Sequence, residues 1–236
     1  MRDAARARPT PPPGFLRHTW LVLRKDLAVE RRTGEIVTTS GFFAVLVAVL
    51  ASIAFSVADG QKTAAPGVLW VSVTFAAVLA LGRTWHRERE ESALLGMLVS
   101  PLPRSAIFLG KMLGVMVFLF AIELLVIPVT ALLFAIDLIR VGPGLLLIAA
   151  LATPGIAASG TLFGVMTVRT RARDLVLASV LFPLLSPTLL TAVAATRELI
   201  GGAALAELSD YGALLLAFDG VFTVGGLAMF GALVEG

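Results

Sequence analysis

The chain has 236 residues, of which 58% are hydrophobic and 15% are charged, with a formal charge of +3 and a mean hydropathy of +0.93. An ordinary soluble domain is about 45–50% apolar and about 25% charged, so this composition excludes a soluble globular protein and predicts an all-α integral membrane protein. The absence of cysteine also excludes a disulfide framework and a thiolate metal site.

The chain begins with a Pro- and Arg-rich segment, residues 1–14, which we expect to be a disordered tail. We expect residues 15–236 to form a single transmembrane domain, and its first stretch is amphipathic. Such a helix lies in the membrane interface, as a juxtamembrane anchor or as an elbow helix that leads into the first span of a transporter subunit. Its apolar residues recur at i, i+4, i+7 and i+11, opposite the polar His18 and Lys25, and are Leu16, Trp20, Leu23 and Leu27.

Six apolar runs are each long enough to cross a bilayer core about 30 Å thick, which needs about 17–25 residues. They cover residues 38–58, 66–82, 112–136, 142–166, 175–196 and 211–233. When the connecting segments are assigned to alternate sides, 16 of the 19 Lys and Arg residues fall on the side of the N-terminus. Basic residues mark the cytoplasmic side, so we expect both termini to be cytoplasmic.

The segment after the second span is charged at first and apolar afterwards, until Pro101 and Pro103 stop the helix. Its i, i+4 pairs predict a short cytoplasmic helix. This helix is either a solvated charged face or a docking helix that inserts into a cleft on a cytoplasmic partner. The candidate residues are Arg87, Glu88, Arg89, Glu90, Glu91, Leu94 and Leu98.

Two acidic residues lie inside predicted spans, Glu123 in the third and Asp219 in the sixth. A carboxylate at the bilayer centre costs about 2.5–3.5 kcal/mol and usually faces the bundle interior or a water-filled cavity. Each residue is therefore a candidate for a substrate path or a proton relay. The alternative is a neutral carboxyl group that is hydrogen-bonded to neighbouring backbone.

The chain has no nucleotide-binding or metal-binding motif. A P-loop requires G-x-x-x-x-G-K-[ST], and around Gly110-Lys111 the first glycine is replaced by Ser105 and the hydroxyl residue by Met112. The two histidines, His18 and His86, lie outside the predicted spans, so one copy offers no intramembrane protease, zinc or bis-histidine haem site. We therefore expect no catalytic residue, no bound metal and no nucleic-acid partner, and any energy from ATP must come from another protein.

An ordered set of short motifs between Leu16 and Tyr211 resembles the CcmB family of cytochrome c maturation, the haem exporter protein B. The first dozen residues and the last span match this family less clearly. The motifs are Leu23-Arg24-Lys25-Asp26-Leu27, Ala65-Pro66-Gly67-Val68-Leu69-Trp70, Ser100-Pro101-Leu102-Pro103, Gly110-Lys111, Thr153-Pro154-Gly155 and Leu181-Phe182-Pro183-Leu184.

The resemblance implies a permease subunit with an ABC-2-type fold in the bacterial inner membrane, and a homodimer is possible by analogy. It implies a separate ATPase subunit (CcmA), the membrane partners CcmC and CcmD, and the periplasmic haem chaperone CcmE, which the complex loads or releases. By the same analogy, the segment from Arg83 to Pro103 is the coupling helix that receives the motion of the ATPase. Haem is then the transported or handled ligand, and the scarcity of histidine favours remodelling of a haem-handling complex over haem transport.

Three alternatives stay open at this point. The chain is an ABC-2-type exporter subunit for another substrate, a proton-coupled secondary transporter that uses Glu123 and Asp219, or a passive assembly scaffold in the membrane.

Overall fold

The computed structural model describes residues 14–56, 61–90, 93–166 and 173–235. Side chains are described for the same ranges, apart from residues 61, 173–178 and 235. The predicted tail therefore lies outside the described residues, except for Gly14, and so does Glu91.

The described residues include eight α-helices and a 3-10 helix, with no strand among them. The helices are α1 (Phe15–Thr33), α2 (Glu35–Phe55), α3 (Gln61–Glu90), α4 (Ala93–Val99), α5 (Arg104–Leu133), α6 (Leu138–Gly164), α7 (Arg173–Gly201), the 3-10 helix (Leu205–Leu208) and α8 (Ser209–Glu235). Local sequence explains several boundaries. Gly34 ends α1 in the left-handed region at φ +62°, with its N–H bonded to the carbonyl of Glu30, and the Asp137 side chain accepts hydrogen bonds from the first N–H groups of α6.

Six helices in the described part of the chain are long and apolar enough to cross a membrane, which confirms the predicted all-α fold with six spans. Two of them extend beyond the predicted spans at the same end of the bundle. The second candidate span runs from Lys62 to Glu90 instead of 66–82, and the third begins at Arg104 instead of 112. Charged residues extend both helices because Arg, Lys and Glu are good helix formers and their charges here find partners.

Helix α6 lies at the centre of the bundle, where it contacts α3, α5, α7 and α8. In the most apolar stretch of α6, 72% of the residues are buried, whereas in that of the last candidate span, Leu205–Val234, only 17% are. Glycines allow this close packing, because a Cβ atom on Gly160 would lie 2.3 Å from the Leu81 side chain. The bundle therefore has a buried central helix and peripheral helices whose apolar sides face outwards.

Candidate functional site

Four charged side chains from three helices meet at the end of the bundle where α3 ends and α5 begins. We call Lys25, Asp26, Glu88 and Lys111 the buried charge cluster. The ammonium group of Lys111 donates to Asp26 Oδ1 at 2.9 Å and also bonds Glu88 Oε1. The ammonium group of Lys25 lies 2.5 Å from the same oxygen of Glu88 and 3.3 Å from Asp26 Oδ1. Two cations and two carboxylates thus join α1, α3 and α5.

The cluster is buried because α1 lies directly on two glycines of α5. A Cβ atom on Gly110 would lie 2.6 Å from Val22 Cβ and 2.8 Å from the carbonyl oxygen of Thr19. One on Gly114 would lie 3.4 Å from Asp26 Oδ2. The missing side chains let α1 approach α5 closely enough to bring the Asp26 carboxylate to Lys111.

A second layer of ion pairs connects the cluster to the start of α2. Glu30 accepts a hydrogen bond from the backbone N–H of Val37 at 2.9 Å, and its other oxygen lies 3.7 Å from Arg87. Arg87 also lies 3.3 Å from Glu35, which pairs with Arg83 as well. The end of α3 is therefore fixed by charge to α1 and α2 together.

Burial in this region is compensated by opposite charge. Lys111 is 1% exposed and Glu88 is 4% exposed. Burial lowers the pKa of Lys25, but the carboxylates of Asp26 and Glu88 outweigh this effect and hold the pKa above its usual value. Removing one member of such a group leaves an uncompensated buried charge, so the ion pairs of the cluster hold α1, α3 and α5 together. A cavity of about 80 Å³ adjoins it, and its lining includes Val29, Ile36 and Phe118.

The predicted coupling residues divide into two sets along the end of α3. Arg87 and Glu88 point inwards, where they form the ion pairs just described. Arg89 and Glu90 are exposed, and Glu90 lies 2.9 Å from His86 one turn earlier. Only the second set is available to a partner in this conformation.

On α4, the exposed apolar residues are not the ones that the sequence analysis proposed for docking. Leu94 is buried in the main hydrophobic core, and Leu98 is partly buried against it. Leu95 and Val99 are 62% and 89% exposed instead. These two residues have the same i, i+4 spacing as Leu94 and Leu98. The spacing therefore predicts an apolar face on α4 but does not say which of the two pairs is exposed.

The predicted elbow residues all lie on α1, in different surroundings. Leu23 is buried and Leu27 is partly buried against the main core. Leu16 and Trp20 are 77% and 56% exposed. The side of α1 that faces the protein combines apolar with polar residues and includes His18, which the sequence analysis placed opposite the apolar face.

The two intramembrane acids, Glu123 on α5 and Asp219 on α8, contact the central helix α6 on the two sides of Pro154. Glu123 is 2% exposed, and its Oε1 atom accepts a hydrogen bond from the Thr153 hydroxyl at 2.6 Å. Asp219 is 9% exposed and lies against Gly155, where a Cβ atom would lie 2.5 Å from its Oδ1. Neither carboxyl group has a basic partner among the described residues. No group of three or more potential metal ligands converges in the described part of the chain.

Comparison with known proteins connects this architecture to one family. A family model described as CcmB protein matches residues 17–234, a range that includes all six candidate spans. Heme exporter protein B of Pseudomonas aeruginosa is 27% identical over 182 residues, which cover 77% of this chain and 81% of that protein. Heme exporter protein B of Escherichia coli K12 is 27% identical over 101 residues, which cover 40% of this chain and 44% of that protein.

Proposed function

The chain belongs to the CcmB family, and we propose that it is the transmembrane permease subunit of an ABC-type complex for haem export or handling in cytochrome c maturation. It is a multi-pass protein of the bacterial inner membrane. Its relatives bear the name Heme exporter protein B, which supports haem as the substrate. With no P-loop in the sequence, ATP hydrolysis falls to a partner subunit, CcmA by resemblance.

The observation that carries this proposal is that α4 contacts α3, whose end contributes Glu88 to the buried charge cluster. Helix α4 presents Leu95 and Val99 at the surface, directly after the end of α3. That end is joined through Glu88 to α1 and α5. A push on α4 by an ATPase would therefore pass to α3, which α4 contacts, and from α3 through the ion pairs of Glu88 to α1 and α5, as the coupling segment of a permease requires.

Substitution of Val99 by glutamate tests the coupling surface. A charge placed in the apolar centre of an interface commonly costs enough to reduce binding about tenfold or more. We expect V99E to retain about one tenth of the ATPase in co-purification from detergent-solubilised membranes, and to lower the yield of mature cytochrome c. The double variant L95E/V99E should retain less.

The matched control is I139E. Ile139 is as exposed as Val99, at 93%. It lies in the first turn of α6, where an added carboxylate is favourable to the helix dipole. We expect I139E to bind the ATPase normally. Equal ATPase retention by V99E, L95E/V99E and I139E would contradict the proposed surface.

We further infer that the complex acts on haem handling at the outer face, together with CcmC and CcmD, to load or release the haem chaperone CcmE. The two histidines support remodelling over haem passage through this chain. His18 is buried on α1 and His86 pairs with Glu90 at the charged end of α3, so both lie at one end of the bundle. A homodimer would supply the two membrane subunits that such a complex needs.

The placement of Glu123 and Asp219 favours a second candidate, a proton-coupled transporter. Both carboxyl groups are buried against the central helix, on the two sides of Pro154. Intramembrane carboxyl groups in such positions serve as proton relays in pumps and transporters. This function predicts that neutral variants of either acid abolish activity while loss of the ATPase does not.

A further inference from the structure

The outer side of α1 carries a row of arginines that the permease function does not use. Arg17, Arg24 and Arg31 are spaced seven residues apart, almost two helical turns, so they form one stripe along the helix. We call these three residues the arginine stripe. All three are exposed, and none of them forms an ion pair with any residue in the described ranges. Arg83 and Arg87, by contrast, are paired with carboxylates.

The acidic residues of α1 point the other way. Asp26 and Glu30 are both buried, and their oxygens bind Lys111 and the backbone of Val37. No carboxylate of α1 therefore neutralises the arginine stripe. The helix thus separates its charges, with negative charge against the protein and positive charge outwards.

Exposed apolar side chains lie next to the arginine stripe. Trp20 and Leu21 are 56% and 45% exposed, and Leu16 is more exposed still. One residue, Gly34, separates the end of α1 from the first apolar span, α2. The helix therefore ends at the start of a membrane span, and its exposed side combines basic with apolar residues, an arrangement typical of helices that lie on a bilayer surface.

We propose that this outer side of α1 is a binding surface for anionic phospholipid, with the arginine stripe on the headgroup phosphates and Leu16 and Trp20 at the acyl-chain boundary. Guanidinium groups bind phosphate oxygens through two parallel hydrogen bonds, and Trp is favoured where one end is apolar and the other is wet. A free phosphate would satisfy the arginines but leave the neighbouring apolar side chains in water. The proposal is independent of haem handling and of the ATPase.

Trp20 provides a local reporter for the test. The other two tryptophans of the chain, Trp70 and Trp85, are buried. The full chain is reconstituted in phosphatidylcholine vesicles in which about one fifth of the lipid is replaced by brominated phosphatidylglycerol or by brominated phosphatidylcholine, whose bromine atoms quench tryptophan on contact. Subtraction of the W20F signal isolates the quenching of Trp20.

We expect brominated phosphatidylglycerol to quench Trp20 at least about threefold more effectively, since each basic residue near an anionic surface contributes up to about a fivefold preference. The variant R17Q/R24Q should bring this ratio close to one. The matched control R140Q/R197Q removes the same charge from two exposed arginines outside α1, and it should keep the wild-type ratio. Added salt should reduce the wild-type ratio by screening.

Three results would overturn the proposal. Equal quenching of the wild-type protein by both lipids would show no anionic preference and would leave a protein partner as the occupant of this surface. A ratio that persists both in R17Q/R24Q and in R17Q/R24Q/R31Q would assign the preference to basic residues outside the arginine stripe. Loss of the ratio on addition of soluble glycerol phosphate, at constant ionic strength, would identify a site for a free anion instead of a lipid surface.

Discussion

The chain buries ionisable groups in two regions, with charged partners in one and neutral neighbours in the other. In the buried charge cluster, Lys111 and Lys25 face carboxylates at hydrogen-bond distance, so charge is balanced by charge. At the central helix, Glu123 meets the neutral hydroxyl of Thr153 and Asp219 meets Gly155. The stability of a buried ion pair depends on both charges, whereas the packing of a buried carboxyl group without a cationic partner does not depend on its charge. Loss of charge should therefore destabilise the buried charge cluster strongly and the acids at the central helix only slightly.

The largest effect is expected from Lys111→Met, which keeps the side-chain length but removes the ammonium group between Asp26 and Glu88. Breaking a buried ion pair from one side costs about 3–5 kcal/mol, because the remaining charges are left buried without compensation. We expect a loss of this size in the free energy of unfolding, measured by denaturation of the full chain in detergent micelles. Lys62→Met is the control, since Lys62 is exposed and has no ion pair among the described residues.

A triple variant separates charge from packing. Adding D26L and E88L to Lys111→Met removes the uncompensated carboxylates, and apolar replacement of a buried ionic group is often neutral or stabilising. Most of the lost stability should then return. A single variant as stable as the wild type, or a triple variant no better than the single one, would show that the cluster is not held by charge.

A smaller loss of stability is expected from a substitution in α6 beside Asp219. In Gly155→Ala the added Cβ atom would lie 2.5 Å from Asp219 Oδ1, so α6 and α8 must separate or the carboxyl group must rotate. Overpacking of this kind costs about 1–3 kcal/mol. The same unfolding measurement checks it, with Gly220→Ala as the control because a Cβ atom there meets nothing within 4 Å. Asp219→Ala should relieve the clash, so the double variant G155A/D219A should be more stable than the sum of the two single losses.

The architecture could be predicted from the sequence because each apolar run decides locally whether it can cross a membrane. Helix ends were harder, because they depend on contacts between distant residues. The sequence placed Lys111 in a connecting segment, yet it lies buried inside α5, where Asp26, 85 positions earlier, accepts a hydrogen bond from its ammonium group. Nothing local to Gly110-Lys111 indicates that partner.

The candidate site was predictable in location but not in orientation. Charge density identified the end of α3, but the structure turns Glu88 inwards and leaves Glu90 exposed. On α4, Leu94 and Leu98 share their spacing with Leu95 and Val99, and only packing against the rest of the bundle decides which pair is exposed. Helical periodicity gives the faces of a helix but not the neighbour that covers each face.

The smallest effect is expected from Glu123→Gln, which removes the ionisable group but keeps an oxygen that can accept the Thr153 hydrogen bond. Because no cation lies beside Glu123 in the described structure, we expect the free energy of unfolding to change by less than about 0.5 kcal/mol. The same substitution at Glu88 removes a charge shared by Lys25 and Lys111, so it should cost clearly more. Yields of mature cytochrome c add a functional measure. An ATP-driven permease should tolerate Glu123→Gln, whereas loss of cytochrome c in a stable variant would favour proton coupling at the central helix.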